Sequence, residues 1–80
     1  MASARSSRHL AFGLAVRGLR TERGLSQERL AQAAKLDRTY VSGIERGERN
    51  PSLTNLLKVA DALEVELSEL MLIAERFAQP

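Results

Sequence analysis

The sequence predicts an all-α fold, a compact bundle of five short helices, and three observations carry that prediction. Apolar residues recur at intervals of three and four along most of the chain. Residues that start helices (Ser26, Asp37, Ser52) and residues that stop them (Gly24, Gly47, Asn50-Pro51) stand between the apolar stripes. No stretch alternates apolar and polar with period two, which argues against strands.

Helix one is expected from about His9 to Arg23. Phe12, Ala15, Val16 and Leu19 fall on one face, Arg17, Arg20 and Arg23 point elsewhere, and Gly24 supplies a left-handed stop. Ser26 caps helix two, Gln27 to Ala34, with Leu30, Ala31 and Ala34 inward. After the tight Lys35-Leu36 turn, Asp37 caps helix three, Arg38 to Arg46, which buries Val41 and Ile44 and ends at Gly47. Asn50-Pro51 breaks the chain and Ser52 caps helix four, which is expected to bury Leu53, Leu56, Leu57, Ala60 and Leu63. Helix five is expected from Glu66 or Leu67 to about Phe77.

Eighty residues make one domain, assigned to residues 9–78, with residues 1–8 read as a flexible tail. A chain this short buries only about 60% of the surface its unfolded form exposes. It has no cysteine, so neither a disulfide nor a thiolate metal site supports it. The single His9 has no partner for a ligand cluster, and neither a metal nor another cofactor is expected. No glycine loop, ligand cluster or triad-like context points to an enzyme, so no catalytic residue is assigned. No apolar run approaches the length of a membrane span, and a cytoplasmic location is expected.

Charge is unevenly distributed. Residues 1–50 hold ten Arg or Lys and five acids, whereas residues 51–80 hold two basic residues and five acids. The first half suits a polyanion, and the second would not lie against phosphates.

Helices two and three, joined by a very short turn with small Ala31 where they cross, describe a helix-turn-helix. Leu36, Val41 and Ile44 fix the angle between them by burial. The other face of helix three offers Arg38, Thr39, Tyr40, Ser42, Gly43 and Arg46, which can donate and accept hydrogen bonds. That face suits double-stranded DNA, with Gly43 permitting close approach to a groove wall. Arg38 at its start can donate twice to a guanine edge; Thr39 and Tyr40 can meet bases, and Ser42 a phosphate. Gln27 opens helix two, where its side chain and the helix N-terminus can meet a phosphate. The bland reading of each is a solvated surface residue, or for Tyr40 a ring leaning on the core.

Gly24-Leu25-Ser26-Gln27 followed by Leu30-Ala31 resembles the helix-turn-helix of the Cro/C1 phage-repressor family. The run from Leu36 to Ser52 is narrower in its likeness, and resembles the recognition helix and following loop of restriction–modification controller proteins. One departure is Lys35, which stands where the family usually has glycine and must turn left-handed or reshape the turn.

The resemblance implies a transcriptional regulator that binds tandem operators near its own gene, activating and then repressing it. Another Cro/C1-type repressor, an antitoxin, and a protein-interaction module without DNA binding are the alternatives. It implies backbone contacts from Arg46, Arg49 and Asn50, and a structural ion pair between Arg20 and Glu45. It places Glu28 on the surface from which some members touch RNA polymerase, though a solvated acid is the simpler reading. Arg5 and Arg8 are read as part of a disordered tail, with a minor-groove arm as the other possibility.

Helix five carries more apolar surface than one core face needs. Leu67, Leu70, Ala74 and Phe77 form a stripe, and Met71, Leu72 and Ile73 widen it beyond an ordinary amphipathic arc. The arc of Leu67, Leu70, Met71, Leu72, Ile73 and Phe77 is assigned to an interface. The resemblance points the same way, to a homodimer through helices four and five; a larger monomer core is the alternative.

Overall fold

The computed structural model describes residues 6–79. They form five helices: α1 (Ser7–Glu22), α2 (Gln27–Ala34), α3 (Arg38–Glu45), α4 (Leu53–Ala62) and α5 (Leu67–Ala78). The first four begin on side-chain caps. Ser6, Ser26, Asp37 and Ser52 accept from the backbone N–H groups of His9, Arg29, Thr39 and Asn55, satisfying donors that the first helical turn leaves free. Helix α5 starts after Glu66 with no side-chain cap.

Four of the helix ends share one device. The chain turns left-handed at Gly24, Lys35, Gly47 and Glu64. The following N–H then reaches back to a carbonyl in the last turn, as from Leu36 to Ala31 at 2.9 Å and from Val65 to Ala60 at 3.1 Å. Lys35 therefore accepts the conformation that glycine would adopt freely, at φ 57°. A left-handed L-residue costs about 1–2 kcal/mol, part of which glycine returns as unfolded-chain entropy. Lys35→Gly is expected to raise stability by about 0.5–1 kcal/mol. A denaturation midpoint that stays the same or falls would show that Lys35 carries no such strain.

Helices α1 and α5 pack along one another, α1 also crosses α3, and α2 rests on α3 and α4. Between them lies one core, with Val16, Leu30, Val41, Ile44, Leu63 and Leu70 at its centre. Its tightest crossing is at Gly13. A Cβ there would lie 2.3 Å from the Ile44 carbonyl oxygen and 2.5 Å from that of Glu45.

Three expectations need correction. Ser7 and Arg8 are helical, because Ser6 supplies a cap upstream of the expected start, and Arg8 pairs with Glu75 at 2.6 Å. The tail is therefore shorter than residues 1–8; Arg5 lies outside the described residues. Leu53 and Leu57 are not buried: they are 64% and 44% exposed, because α4 turns its Val59–Ala60 edge to the core instead. Leu70, assigned to an interface, is completely buried in the monomer and cannot meet a partner.

Candidate nucleic-acid interface

Helix α3 is fixed at its start by Asp37. The carboxylate accepts from the Thr39 N–H at 2.9 Å and from the Thr39 hydroxyl. The Thr39 hydroxyl and N–H hold the Asp37 carboxyl below its ordinary value against the opposing effect of desolvation, with lesser help from the Tyr40 N–H and the Arg38 charge. With the folded pKa lowered, the cap contributes fully at neutral pH and is lost only as acid passes through the lowered value.

The far end of α3 is fixed from below. Arg20 donates to Glu45 through Nε at 2.6 Å and Nη2 at 3.1 Å, and through Nη1 to the Leu25 carbonyl at 2.7 Å. Gln27 adds its amide Nε2 to Glu45 Oε1 at 3.0 Å. The side chains of Arg20 and Glu45 are only 13% and 3% exposed. This network joins α1, α2 and α3, so both helices of the motif are held in one frame. In the free chain one N–H of the Gln27 amide is committed to the ion pair, and the residue stands half-buried at the start of α2.

Onto this frame the outer face of α3 is built. Arg38 and Thr39 are exposed at its start, and Arg38 makes no side-chain hydrogen bond or ion pair among the described residues. Ser42 is half-buried and accepts from Arg46, which also bonds Glu48 at 3.2 Å. Tyr40 is half-buried and packs on the core, with its hydroxyl accepting from Asn55 Nδ2 of α4 at 3.1 Å. Arg49 lies over the Tyr40 ring, 5.5 Å from its centre. Asn50 is exposed beside it.

Gly43 does not face a groove wall. It is buried under Arg49: a Cβ at Gly43 would meet Arg49 Cγ at 2.8 Å and Nε at 2.9 Å. The glycine thus seats an arginine against the helix. Arg38, Tyr40, Arg46 and Arg49 are carried by one helix and the loop that folds back on it, an arrangement suited to phosphates and base edges. Nothing in the sequence marks Asn55 or Gly13; neither belongs to a stripe or a cap, and their roles depend on what crosses them.

On α5, Met71, Leu72 and Phe77 are exposed, the last two by 54% and 53%. Leu67 and Ile73 are half-buried and pack on the core. None of the described helices is long and apolar enough to cross a membrane.

The helix-turn-helix family matches residues 16–70. Control protein C.MunI of Mycoplasma sp is 52% identical over 60 residues, covering 74% of this chain and 81% of that protein. The crystal structure of the restriction–modification controller protein C.AhdI from Aeromonas hydrophila superposes with a TM-score of 0.80 at 54% identity, over 81% of this chain and 98% of that one. The controller protein C.Esp1396I, solved as a tetramer in complex with its natural 35 base-pair operator, gives a TM-score of 0.83 at 33% identity, over 91% of this chain and 96% of that one. The chain belongs to the Cro/C1-type helix-turn-helix family, on the side of it that includes the restriction–modification control proteins.

Proposed function

We propose that this chain is a sequence-specific, double-stranded-DNA-binding transcriptional regulator of the restriction–modification controller type. It acts in the cytoplasm, without catalysis of its own, as a homodimer on pseudo-palindromic operators. The observation that carries this reading is the exposed Arg38, without a side-chain partner among the described residues, at the start of a rigidly framed α3, beside Arg46 and Arg49. The operator complex of the similar C.Esp1396I supports the choice of DNA as the partner. In this reading Arg38, Thr39 and Tyr40 face bases, while Ser42, Arg46, Arg49, Asn50 and the start of α2 face phosphates. Glu28 is exposed in the first turn of α2. Contact with RNA polymerase there is a further step of the proposal, and in the free chain it is a solvated acid.

The homodimer rests on apolar surface that the monomer leaves uncovered: Leu53 and Leu57 on α4, and Met71, Leu72 and Phe77 on α5. Exposed apolar residues in this number on a domain of this size support an interface. Two-fold pairing would set the two copies of α3 about 34–36 Å apart, one turn of DNA. Leu72→Glu is the clean test, because Ile73 packs on the core and a charge there would unfold the chain. The variant is expected to sediment as a monomer and to lose most of its affinity for the duplex upstream of its own gene. A monomeric unaltered protein at tens of micromolar, or undiminished binding by Leu72→Glu, would refute the dimer. Equal binding of the unaltered protein to that duplex and to a scrambled one would refute the regulator.

A further inference from the structure

Tyr40, Arg49 and Asn55 come from three separate elements and meet at one point beside α3. Asn55 holds the Tyr40 hydroxyl at 3.1 Å, Arg49 lies 5.5 Å above the Tyr40 ring, and Gly43 clears the space that Arg49 occupies. Tyr40 accepts from Asn55, so its own hydroxyl proton remains to be donated. A tyrosine ring has two side-chain rotations and an arginine four. Left loose on the surface, both would lose that freedom on binding DNA. Here the freedom is lost on folding instead. The ring is pinned at its far end by α4, and the guanidinium is held between that ring and a glycine floor.

We propose that Asn55 is a positioning residue for DNA recognition, fixing Tyr40, and through it Arg49, in the arrangement that meets the duplex. The inference rests on the regulator reading above. Asn55 acts through the Tyr40 hydroxyl, so it also links α4, which carries exposed apolar residues, to the helix that faces DNA. Pre-ordering of this kind strengthens binding by lowering the cost of ordering side chains at the interface.

The test is a cycle of four chains: unaltered, Asn55→Ala, Tyr40→Phe and the double variant. Each is titrated with the duplex upstream of its own gene and with a scrambled duplex of equal length. Asn55→Ala is expected to weaken the first about threefold to tenfold, the scale of one net hydrogen bond, and the second by less than about twofold. It is expected to add nothing once Tyr40 is phenylalanine. A second readout needs no DNA. The chain has one tyrosine and no tryptophan, so the tyrosine band of the near-ultraviolet circular dichroism reports Tyr40 alone. That band is expected to shrink in Asn55→Ala while the helical signal is kept.

An Asn55→Ala penalty that persists in the Tyr40→Phe background would put Asn55 on the DNA itself and overturn the inference. So would a tyrosine band indifferent to Asn55. Selectivity in the unaltered chain that Asn55→Ala retains in full overturns this inference alone. An unaltered chain that binds both duplexes alike overturns the regulator reading and takes this inference with it. Should Asn55→Ala lose helicity, Asn55→Ser keeps a shorter hydroxyl donor on α4, and the same cycle with Tyr40→Phe is expected to give the same pattern.

Discussion

Arg20→Ala is expected to lower stability by about 3–5 kcal/mol while leaving sequence preference nearly unchanged. Removing the guanidinium strands Glu45, whose side chain is 3% exposed, with the Gln27 amide as its remaining side-chain partner among the described residues. It also frees the Leu25 carbonyl, which accepts from Arg20 at 2.7 Å. A charge buried without its counter-ion cannot be rescued by water, so the loss far exceeds that of a surface pair such as Arg23–Glu64, at 3.4 Å. In a domain of this size each kilocalorie shifts the melting temperature by about 4–8 °C, so the change spans tens of degrees. Melting is compared at one protein concentration, because self-association would also stabilise the chain. The paired replacement Arg20→Met with Glu45→Leu is expected to recover much of the loss, since it leaves no orphaned charge. An unchanged melting temperature for Arg20→Ala would mean that Arg20 is solvated and free to hold a phosphate.

Gly13→Ala and Gly18→Ala are expected to move stability in opposite directions, although both lie in α1. At Gly13 the added methyl would overlap two backbone carbonyl oxygens of α3, Ile44 at 2.3 Å and Glu45 at 2.5 Å. No rotamer relieves a clash with backbone, so α1 and α3 must part. Overpacking of this kind costs about 1–3 kcal/mol and more where the backbone is rigid. Here the carbonyls sit in the turn that also carries Glu45, so the ion pair would be stretched at the same time. At Gly18 nothing lies within 4 Å of the new Cβ, and alanine should gain about 0.5–1 kcal/mol of helix propensity. Denaturant titration of the two variants settles the matter. Equal, small effects would mean that α1 and α3 do not cross as closely as described.

The helices were legible because their ends are written locally. Ser26, Asp37 and Ser52 cap within three residues of themselves, and Gly24 and Gly47 take φ values that glycine adopts without cost. The Arg20–Glu45 pair was legible only through family resemblance, for nothing local joins residues 25 positions apart. Leu53 and Leu57 misled because a helical stripe records which residues are apolar and not which of them the neighbouring helices can reach. In α4 the core takes Val59 and Ala60 and leaves both leucines outside. Gly43 misled for a related reason. It lies on the outer helix of the motif, but it is covered from within the protein, by Arg49. Gly13 gave no signal at all, since a crossing of two backbones leaves no period in a sequence.

In the proposed function α3 reads bases, and Arg38→Ala tests this against Arg49→Ala. Arg38 is exposed at the start of the helix with no side-chain partner among the described residues, whereas Arg49 lies on the Tyr40 ring in the loop beyond it. Binding of each variant is measured across a series of salt concentrations, on the duplex upstream of the gene and on a scrambled duplex. Losing Arg38 is expected to cost about 1–3 kcal/mol per half-site on the first duplex, much less on the second, and to relax preference at one base pair. Losing Arg49 is expected to weaken both alike and to reduce the salt dependence by about one unit of slope per lost contact. If Arg38→Ala lowers binding to both duplexes equally, α3 does not read sequence, and the proposed mechanism fails with the fold intact.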